Sequence, residues 1–325
     1  MSVLPEDLKL YGSTTMADDD TPVAIGAAIS LSRAVQWIAF IGLAQAVSSD
    51  GTDTTQSITV SYLDGAGVVQ TITIALNGTT VVTNATSMTE VLKGIKSATT
   101  AGDVAVESQT AVRSNTAQGG TTDTITLDAG ASAVDDFYRS MIVRLTGGTG
   151  ANQIRQVVAY NGTTKVAIID RTWSTPPDGT STFRIADGFM FDKLPSEILE
   201  VRRPFYNVSA SASLTKTYYE KVFFKNTNGV TTLTAAQVIE QANPTGKVAF
   251  ALETTLNAAG TNGGGNNRQV APSSGVTAFS TAAKTVATGQ LTPGDAQGCW
   301  LQLTLSPGDI AQLSSVTPRL SGTTT

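Results

Sequence analysis

Polar and apolar residues alternate with a period of two along much of this chain, the spacing of half-buried β-strands. The pattern is clearest from Asp123 to Ile185. Thr124 to Leu127 alternates. Ile142 to Leu145 stops at Gly147-Gly148, and Ile154 to Tyr160 stops at Asn161-Gly162. Asn-Gly suits a type I′ hairpin turn, whose two central residues both need positive φ. Lys165 to Asp170 returns as the next strand, and Pro176-Pro177-Asp178-Gly179 turns the chain into Thr182 to Ile185. Asp135 and Asp136, ahead of Phe137-Tyr138, predict a short capped helical turn within Ala133 to Met141. Together these predict a compact five-stranded unit, a small barrel with its ends close together. Such a unit can be inserted into a host domain without disturbing it.

The flanking chain reads as strands and turns. Leu4 to Asp20 predicts an extended arm, in which Leu8 to Tyr11 could form one strand. Val23 to Val47 fits a helical stripe and a strand pattern about equally. Clustered aromatic and β-branched residues favour strand over Ala34 to Leu43. Ser57 to Tyr62 and Val68 to Leu76 predict a hairpin about Asp64-Gly65-Ala66-Gly67. Asn77-Gly78 turns the chain again, into a strand over Thr79 to Thr83. Ser87-Met88-Thr89-Glu90 has capping-box spacing, with Val91, Leu92 and Ile95 on one helical face. That predicts one short helix near 88–97. Asp103 to Glu107 reads as a strand and Gln109 to Thr122 as a polar connector.

Beyond the module, Tyr218 to Asn226, Lys247 to Leu252 and Cys299 to Leu305 predict core strands. Asn228-Gly229 turns the first of these into Val230 to Leu233. Ala235 to Gln241 reads as strand, with helix left open by its Ala and Gln content. Leu291-Thr292-Pro293-Gly294-Asp295 and Leu305-Ser306-Pro307-Gly308-Asp309 both place Pro and Gly at the centre of a type II turn. Short strands spaced by such turns indicate an immunoglobulin-like sandwich. The predicted fold class is therefore all-β and multi-domain, with β-sandwich domains plus a small inserted β-barrel-like module. The predicted boundaries are an N-terminal arm over 1–20, a first β domain over 21–108 plus about 186–210, the inserted module over 109–185, and a C-terminal sandwich over 211–325.

Composition sharpens this. Among 325 residues, 41% are hydrophobic but only 14% are charged, against the usual quarter or so. Thr, Ser, Gly, Ala and Asn fill the gap, as in β-rich chains with many turns. Net charge is −5 with basic residues scattered, which argues against nucleic-acid binding. There is no histidine and one cysteine. That removes the imidazole base, the histidine metal ligand and any intrachain disulfide. Cys299, beside Trp300 in an apolar run, reads as a small buried hydrophobe. The start of the chain lacks a basic region followed by an apolar run, so no signal peptide is expected. The longest apolar stretch, Ala34 to Val47, is too short for a membrane helix.

Candidate chemistry is sparse. Asp18-Asp19-Asp20 invites a calcium site, but calcium needs spaced oxygens in a fixed loop, and a solvated acidic loop is the better reading. Arg202-Arg203 reads as exposed or paired with carboxylates. Gly147-Gly148-Thr149-Gly150 and Gly263-Gly264-Gly265 lack the Gly-Lys-Ser/Thr of a phosphate loop. Asp135-Asp136 are adjacent rather than facing each other across a cleft, as glycoside hydrolysis requires. Asp50, Asp64, Asp178, Asp187, Asp295 and Asp309 fall in turns, where turn chemistry accounts for them. No catalytic, cofactor-binding or metal residue is expected.

The module resembles a small β-module of structural proteins from tailed-bacteriophage particles. Asp128-Ala129-Gly130-Ala131-Ser132-Ala133, Asp135-Asp136-Phe137-Tyr138, Gly147-Gly148-Thr149-Gly150, Tyr160-Asn161-Gly162 and Asp170-Arg171-Thr172-Trp173 carry the resemblance. In the third unit it continues through Tyr219-Glu220-Lys221, Lys225-Asn226-Thr227-Asn228-Gly229, Leu291-Thr292-Pro293-Gly294-Asp295 and Trp300. At the start Asp7-Leu8-Lys9-Leu10-Tyr11-Gly12-Ser13 is also similar. The resemblance implies a virion setting rather than a chemistry. The expectation is a non-enzymatic accessory or decoration protein of capsid or tail, made in the host cytoplasm. Its partners would be other virion proteins and copies of itself, in a homo-oligomer, with no nucleic acid and no membrane. The alternative is a receptor- or glycan-binding fibre or adhesin using Trp37, Trp173 or Trp300 as a stacking platform. The apolar neighbours of Trp37 and Trp300 favour core, leaving Trp173 as the one open to exposure.

Overall fold

The computed structural model describes residues 3, 7–36, 38, 40, 42–194, 196–243, 245–272, 274–309 and 317–324. Among them there is no α-helix, and no sheet closes on itself. The chain is all-β with several sheets, a multi-domain β-sandwich architecture. It divides into two compact units, one formed by Met1–Trp37 with Arg202–Thr325, the other by Ile38–Val201.

Unit one opens with β1 (Leu8–Thr15) and β2 (Gly26–Val35). The chain then leaves for unit two. There it forms β3 (Gly42–Ser48), β4 (Ser57–Leu63), β5 (Val69–Ala75), β6 (Val82–Met88), β7 (Glu90–Lys96) and β8 (Val104–Ser108). The module follows as β9 (Arg113–Thr116), β10 (Gly119–Gly120), β11 (Thr124–Thr126), β12 (Ile142–Gly147), β13 (Ile154–Asn161), β14 (Val166–Ile169) and β15 (Thr182–Ala186). β16 (Gly188–Phe191) and β17 (Glu200–Arg202) lead back to unit one. That unit is completed by β18 (Lys216–Asn226), β19 (Leu233–Ala242), β20 (Val248–Leu252), β21 (Lys284–Thr285), β22 (Gln290–Leu291), β23 (Ala296–Leu305) and β24 (Thr317–Thr324).

In unit one, β1 lies between β18 and β2 in a sheet ordered β20-β23-β18-β1-β2. The predicted arm is thus corrected over Leu8–Thr15. Leu8 and Leu10 pack on the core cluster and Tyr11 is buried, so the segment gains more as an inner strand than as free chain. β2 and the chain from Arg202 also belong to this unit, not to a first domain over 21–108 and 186–210. The second sheet centres on β19, which pairs with β21, β22 and β24. Ala235 has φ 48° and marks a register irregularity against β24, and the strand runs through it where helix had been open. Both predicted type II turns form. Gly294 has φ 87° with Asp295 N donating to Thr292 O, and Gly308 has φ 74° with Asp309 N donating to Ser306 O.

Unit two is layered. β7-β4-β5 forms one sheet segment and β16-β8-β3-β6 another. Paired residues of β16, β8 and β3 share a face, because side chains alternate along a strand. Val104, Val106, Phe189 and Phe191 take one face, and Phe189 and Phe191 press on Gly94 of β7. Val47, Ala105 and Met190 take the other and meet Ile142 and Ile154 of the module. β8 and β16 are therefore buried on both faces.

The module's seven strands run β10-β11-β14-β13-β12-β15-β9. The expected barrel is corrected to an open sheet. Its two end strands, β9 and β10, are successive pieces of one segment, so the sheet curls around a core that includes Leu127, Tyr138, Leu145, Trp173 and Phe183. Asn161-Gly162 does turn the chain, but not as a two-residue hairpin. Asn161 pairs with Val166, leaving residues 162–165 as the loop, and Asn161 Oδ1 accepts from Thr163 N and Thr164 N. In 133–141 the side chains of Asp135 and Asp136 accept from Gly162 N and Tyr160 N rather than capping a helix.

The short helix expected near 88–97 is corrected to the end of β6 and to β7. Ser87 pairs with Leu43 of β3 and Glu90 with Leu63 of β4, so the two capping-box positions lie in strands. Gly94 disfavours helix and supplies the room that Phe189 and Phe191 fill. A Cβ there would come within 2.4 Å of the Phe189 ring. Gly94→Val should therefore cost about 1–3 kcal/mol through overpacking. Denaturant unfolding followed by circular dichroism checks this, and an unchanged midpoint would refute it.

Candidate functional site

The most densely built polar site lies between host strand β8 and the module, within unit two. Asp103, Ala105 and Glu107 fall on one side of β8, two residues apart. Glu107 is 0% exposed. Its Oε1 accepts from Gln45 Nε2 at 2.7 Å, Arg144 Nη2 at 3.0 Å and Arg184 Nε at 3.2 Å. Arg144 and Arg184 are directly paired across β12 and β15. Their strands put Val143, Leu145, Phe183 and Ile185 into the module core, so alternation turns both arginines towards the host. Asp103 Oδ2 accepts from Arg155 Nη1 at 3.2 Å and Arg171 Nη2 at 2.5 Å, and its Oδ1 from Lys193 N at 2.9 Å. Burial pushes the Arg155 guanidinium down, and its neighbour Arg171 adds to that. Burial also opposes the charge on Arg171, but Asp103 and Asp192 outweigh it and raise Arg171. These groups pair with one another across the host–module boundary, while Glu107 Oε2, Arg144 Nε and Arg171 Nε are buried without a hydrogen-bond partner.

A second ionic group sits inside unit one. Arg202 donates to Asp18 Oδ1 at 3.0 Å and Glu220 Oε1 at 2.9 Å, and stacks over Tyr206. Burial pushes the Glu220 carboxyl up, against the pull of Arg202. Arg268 Nε donates to Asp20 Oδ1 at 2.7 Å. The stretch 18–20 is thus not simply a solvated acidic loop: Asp18 and Asp20 neutralise arginines, and Asp19 accepts from Thr21 N. The reading of Arg202 as paired holds, and it is buried rather than exposed. Lys221 Nζ lies 2.6 Å from Glu253 Oε1, which also accepts from Trp300 Nε1 at 2.9 Å. Burial pulls Lys221 down while Glu253 opposes it.

The tryptophan platform does not form from the described residues. Trp173, the one open to exposure, is 3% exposed, donates to Thr124 O and lies under Arg155. Trp300 is fully buried, and Trp37 lies outside the described residues. Cys299 is buried as expected, and burial pushes its thiol well above the usual range. Asp50, Asp64, Asp178, Asp295 and Asp309 accept from backbone amides of their own turns. Gly147 ends β12, and Gly148 to Gly150 lies in the β12–β13 hairpin loop. Among the described residues no cluster of three or more metal-binding acids, cysteines or histidines occurs, and no helix is long and apolar enough to cross a membrane.

One exposed feature stands out. The turn holding Asp135 and Asp136 presents Val134, 64% exposed, and Phe137, 46% exposed. Phe137 packs edge-on against buried Tyr138 at 5.0 Å, so the aromatic is held on a fixed base. Compared with protein-family models, curated proteins and solved structures, the chain matches none.

Sequence reasoning missed the β8 site. Its signal was present: an arginine amid apolar residues in Ile142 to Leu145 and in Phe183 to Ile185, and acids four apart in Asp103 to Glu107. Among the described residues Glu107 is the carboxylate that pairs with both Arg144 and Arg184, and Glu107→Gln removes its charge. It should cost about 3–5 kcal/mol, as when one partner of a buried ion pair is lost. Chemical denaturation checks it, and a loss below about 1 kcal/mol would refute the assignment.

A pH dependence follows as well. The Arg113 hydrogen bond holds Asp128 below the usual carboxylate range. Burial raises Glu197, but hydrogen bonds from Lys193 and Lys96 outweigh it and hold it low. A depressed carboxyl stabilises fully above its unfolded value of about 4, and that stability is lost as pH falls through the folded value. Burial pushes Asp187 up, which acts in the opposite sense. Asp128→Asn should therefore lower the melting temperature at pH 7 and flatten its fall below about pH 4. Equal acid limbs in the two proteins would refute this.

Proposed function

We propose that this chain is a non-enzymatic structural component of a bacteriophage particle. In this reading it is an accessory or decoration protein that attaches to capsid or tail and to copies of itself through protein–protein contacts. The observation that carries the reading is where the chemistry-bearing side chains are spent. Asp103, Glu107, Glu220 and Glu253 hold arginines and a lysine. Of the other acids singled out in the sequence, Asp18 and Asp20 hold arginines. Asp19, Asp50, Asp64, Asp135, Asp136, Asp178, Asp295 and Asp309 accept from backbone amides, while Asp187 is half-buried and raised by burial. The carboxylates are thus engaged in building rigid layers. The resemblance of the module and of the third unit to phage structural proteins supplies the virion setting.

A second reading, a fibre or adhesin that binds a receptor or glycan, is favoured by Phe137. An exposed aromatic on a fixed base is the kind of surface on which a sugar face stacks. Phe137→Ala would then abolish binding on a glycan array without shifting the melting temperature. An array silent with the native protein would dismiss that reading.

The main proposal is tested on purified particles whose genome encodes this chain, intact or deleted. Mass spectrometry should find the chain at stoichiometric copy number, and cryo-electron microscopy should show density lost on deletion. Its absence from purified particles would overturn the proposal. The purified protein should also leave a polysaccharide panel intact, and turnover abolished by changing one carboxylate pair would reverse the non-enzymatic part.

A further inference from the structure

The edge strand β5 is built unlike a protected edge. It ends the run β7-β4-β5, and among the described residues its one hydrogen-bonded neighbour is β4. All seven residues pair with β4 without a register shift, from Ser57↔Ala75 to Leu63↔Val69. Natural edge strands are commonly blunted by charge, proline, a bulge or shortness. β5 reads Val69-Gln70-Thr71-Ile72-Thr73-Ile74-Ala75, with no charge, no proline and no bulge.

Its central Thr71-Ile72-Thr73 is also self-complementary about Ile72. In an antiparallel pair of two β5 strands centred there, Ile72 meets Ile72, and each Thr71 meets the other copy's Thr73. Directly opposed residues share a face. The face bearing Thr71 and Thr73 is exposed, and Thr73 already touches Thr59 of β4 through their hydroxyls at 3.3 Å. The opposite face continues the apolar row Val60–Ile72, and Ile72 is only half-buried in one copy. Electrostatics also suit a second copy. The nearest charge is Asp64 in the β4–β5 turn, which accepts from Gln70 Nε2 at 3.1 Å and, in an antiparallel pair, lies at the opposite end of the junction from its counterpart. Lys93 on β7, paired to Ser61, is two strands in from the edge. No like charges would be brought together by the junction.

We propose that β5 pairs antiparallel with β5 of a second copy of this chain, joining the two β7-β4-β5 segments into one continuous sheet. This rests on the reading of the chain as an assembling structural component and names the surface that does the assembling. A seven-residue edge buries less than the roughly 1,200 Å² of a standard stable interface. The contact is therefore weak between two free copies and gains strength where many copies are held together.

Thiol crosslinking tests the register. Opposed residues in an antiparallel pair have Cα atoms about 4.5–5.5 Å apart, inside disulfide range, whereas diagonal ones lie about 7–8 Å apart. Thr71→Cys and Thr73→Cys are prepared separately in the full chain; both positions are exposed, and the native Cys299 is fully buried. Under mild oxidation, a mixture of the two variants should give a disulfide-linked dimer at least about tenfold above either variant alone. No dimer from the mixture, or equal crosslinking by one variant alone, overturns the pairing. Failure to crosslink by a chain that is found in particles would sink this inference and leave the structural role standing. A register-specific crosslink in a chain absent from particles would do the reverse.

Discussion

Two buried carboxylates, one within β8 and one just before it, set the organisation of unit two. An isolated carboxylate taken out of water is unfavourable by several kcal/mol after relaxation. Asp103 and Glu107 therefore require cations, and the module supplies four: Arg144, Arg155, Arg171 and Arg184. The apolar contacts of Ile142 and Ile154 with Val47, Ala105 and Met190 fill the space between. Apolar contact alone would tolerate small slides of the module over the host sheet. Ion pairs to two carboxylates on the same side of β8 do not, because a one-residue slip would turn the partners to the opposite face. The ionic layer thus fixes where the module sits, and its worth is specificity of placement more than net stability.

The same pattern explains what could be read from the sequence and what could not. Turn chemistry is local, so Pro293-Gly294 and Pro307-Gly308 announce their type II turns without help from the rest of the chain. Strand alternation in the module was legible for a related reason: each strand buries one face against its own neighbours. The stretch 88–97 misled because its spacing of Ser87 and Glu90 is that of a capping box. What decides the outcome there is distant, namely Phe189 and Phe191 filling the room above Gly94. β1 misled in the same way. Its partners β18 and β2 flank it in space, with β18 some two hundred residues on, and a short apolar run before an acidic stretch carries no trace of them.

The charged layer was hidden for a different reason. Acids and arginines in strands were weighed as surface residues, the usual place for them. Yet Arg144 interrupts an apolar run and Arg184 lies between Phe183 and Ile185. A charge at such a position either faces solvent or meets an opposite charge across a buried face, and only the partner strand tells which. Trp173 carries the same ambiguity. Beside Pro176-Pro177 it looked exposed, but the curl of the module folds it under Arg155 and into the core.

Where the charges go also shapes the surface. Only 14% of the residues are charged, and several of them lie inside: Glu107, Arg202, Glu220, Lys221, Glu253 and Arg268 are all buried. What remains outside is rich in Thr, Ser, Asn and Gly. Desolvating a hydroxyl costs far less than desolvating an ion, and a hydroxyl can both donate and accept in whatever contact replaces water. A protein that withdraws its ions into internal layers therefore gains rigidity of placement within and a surface that is cheap to cover without.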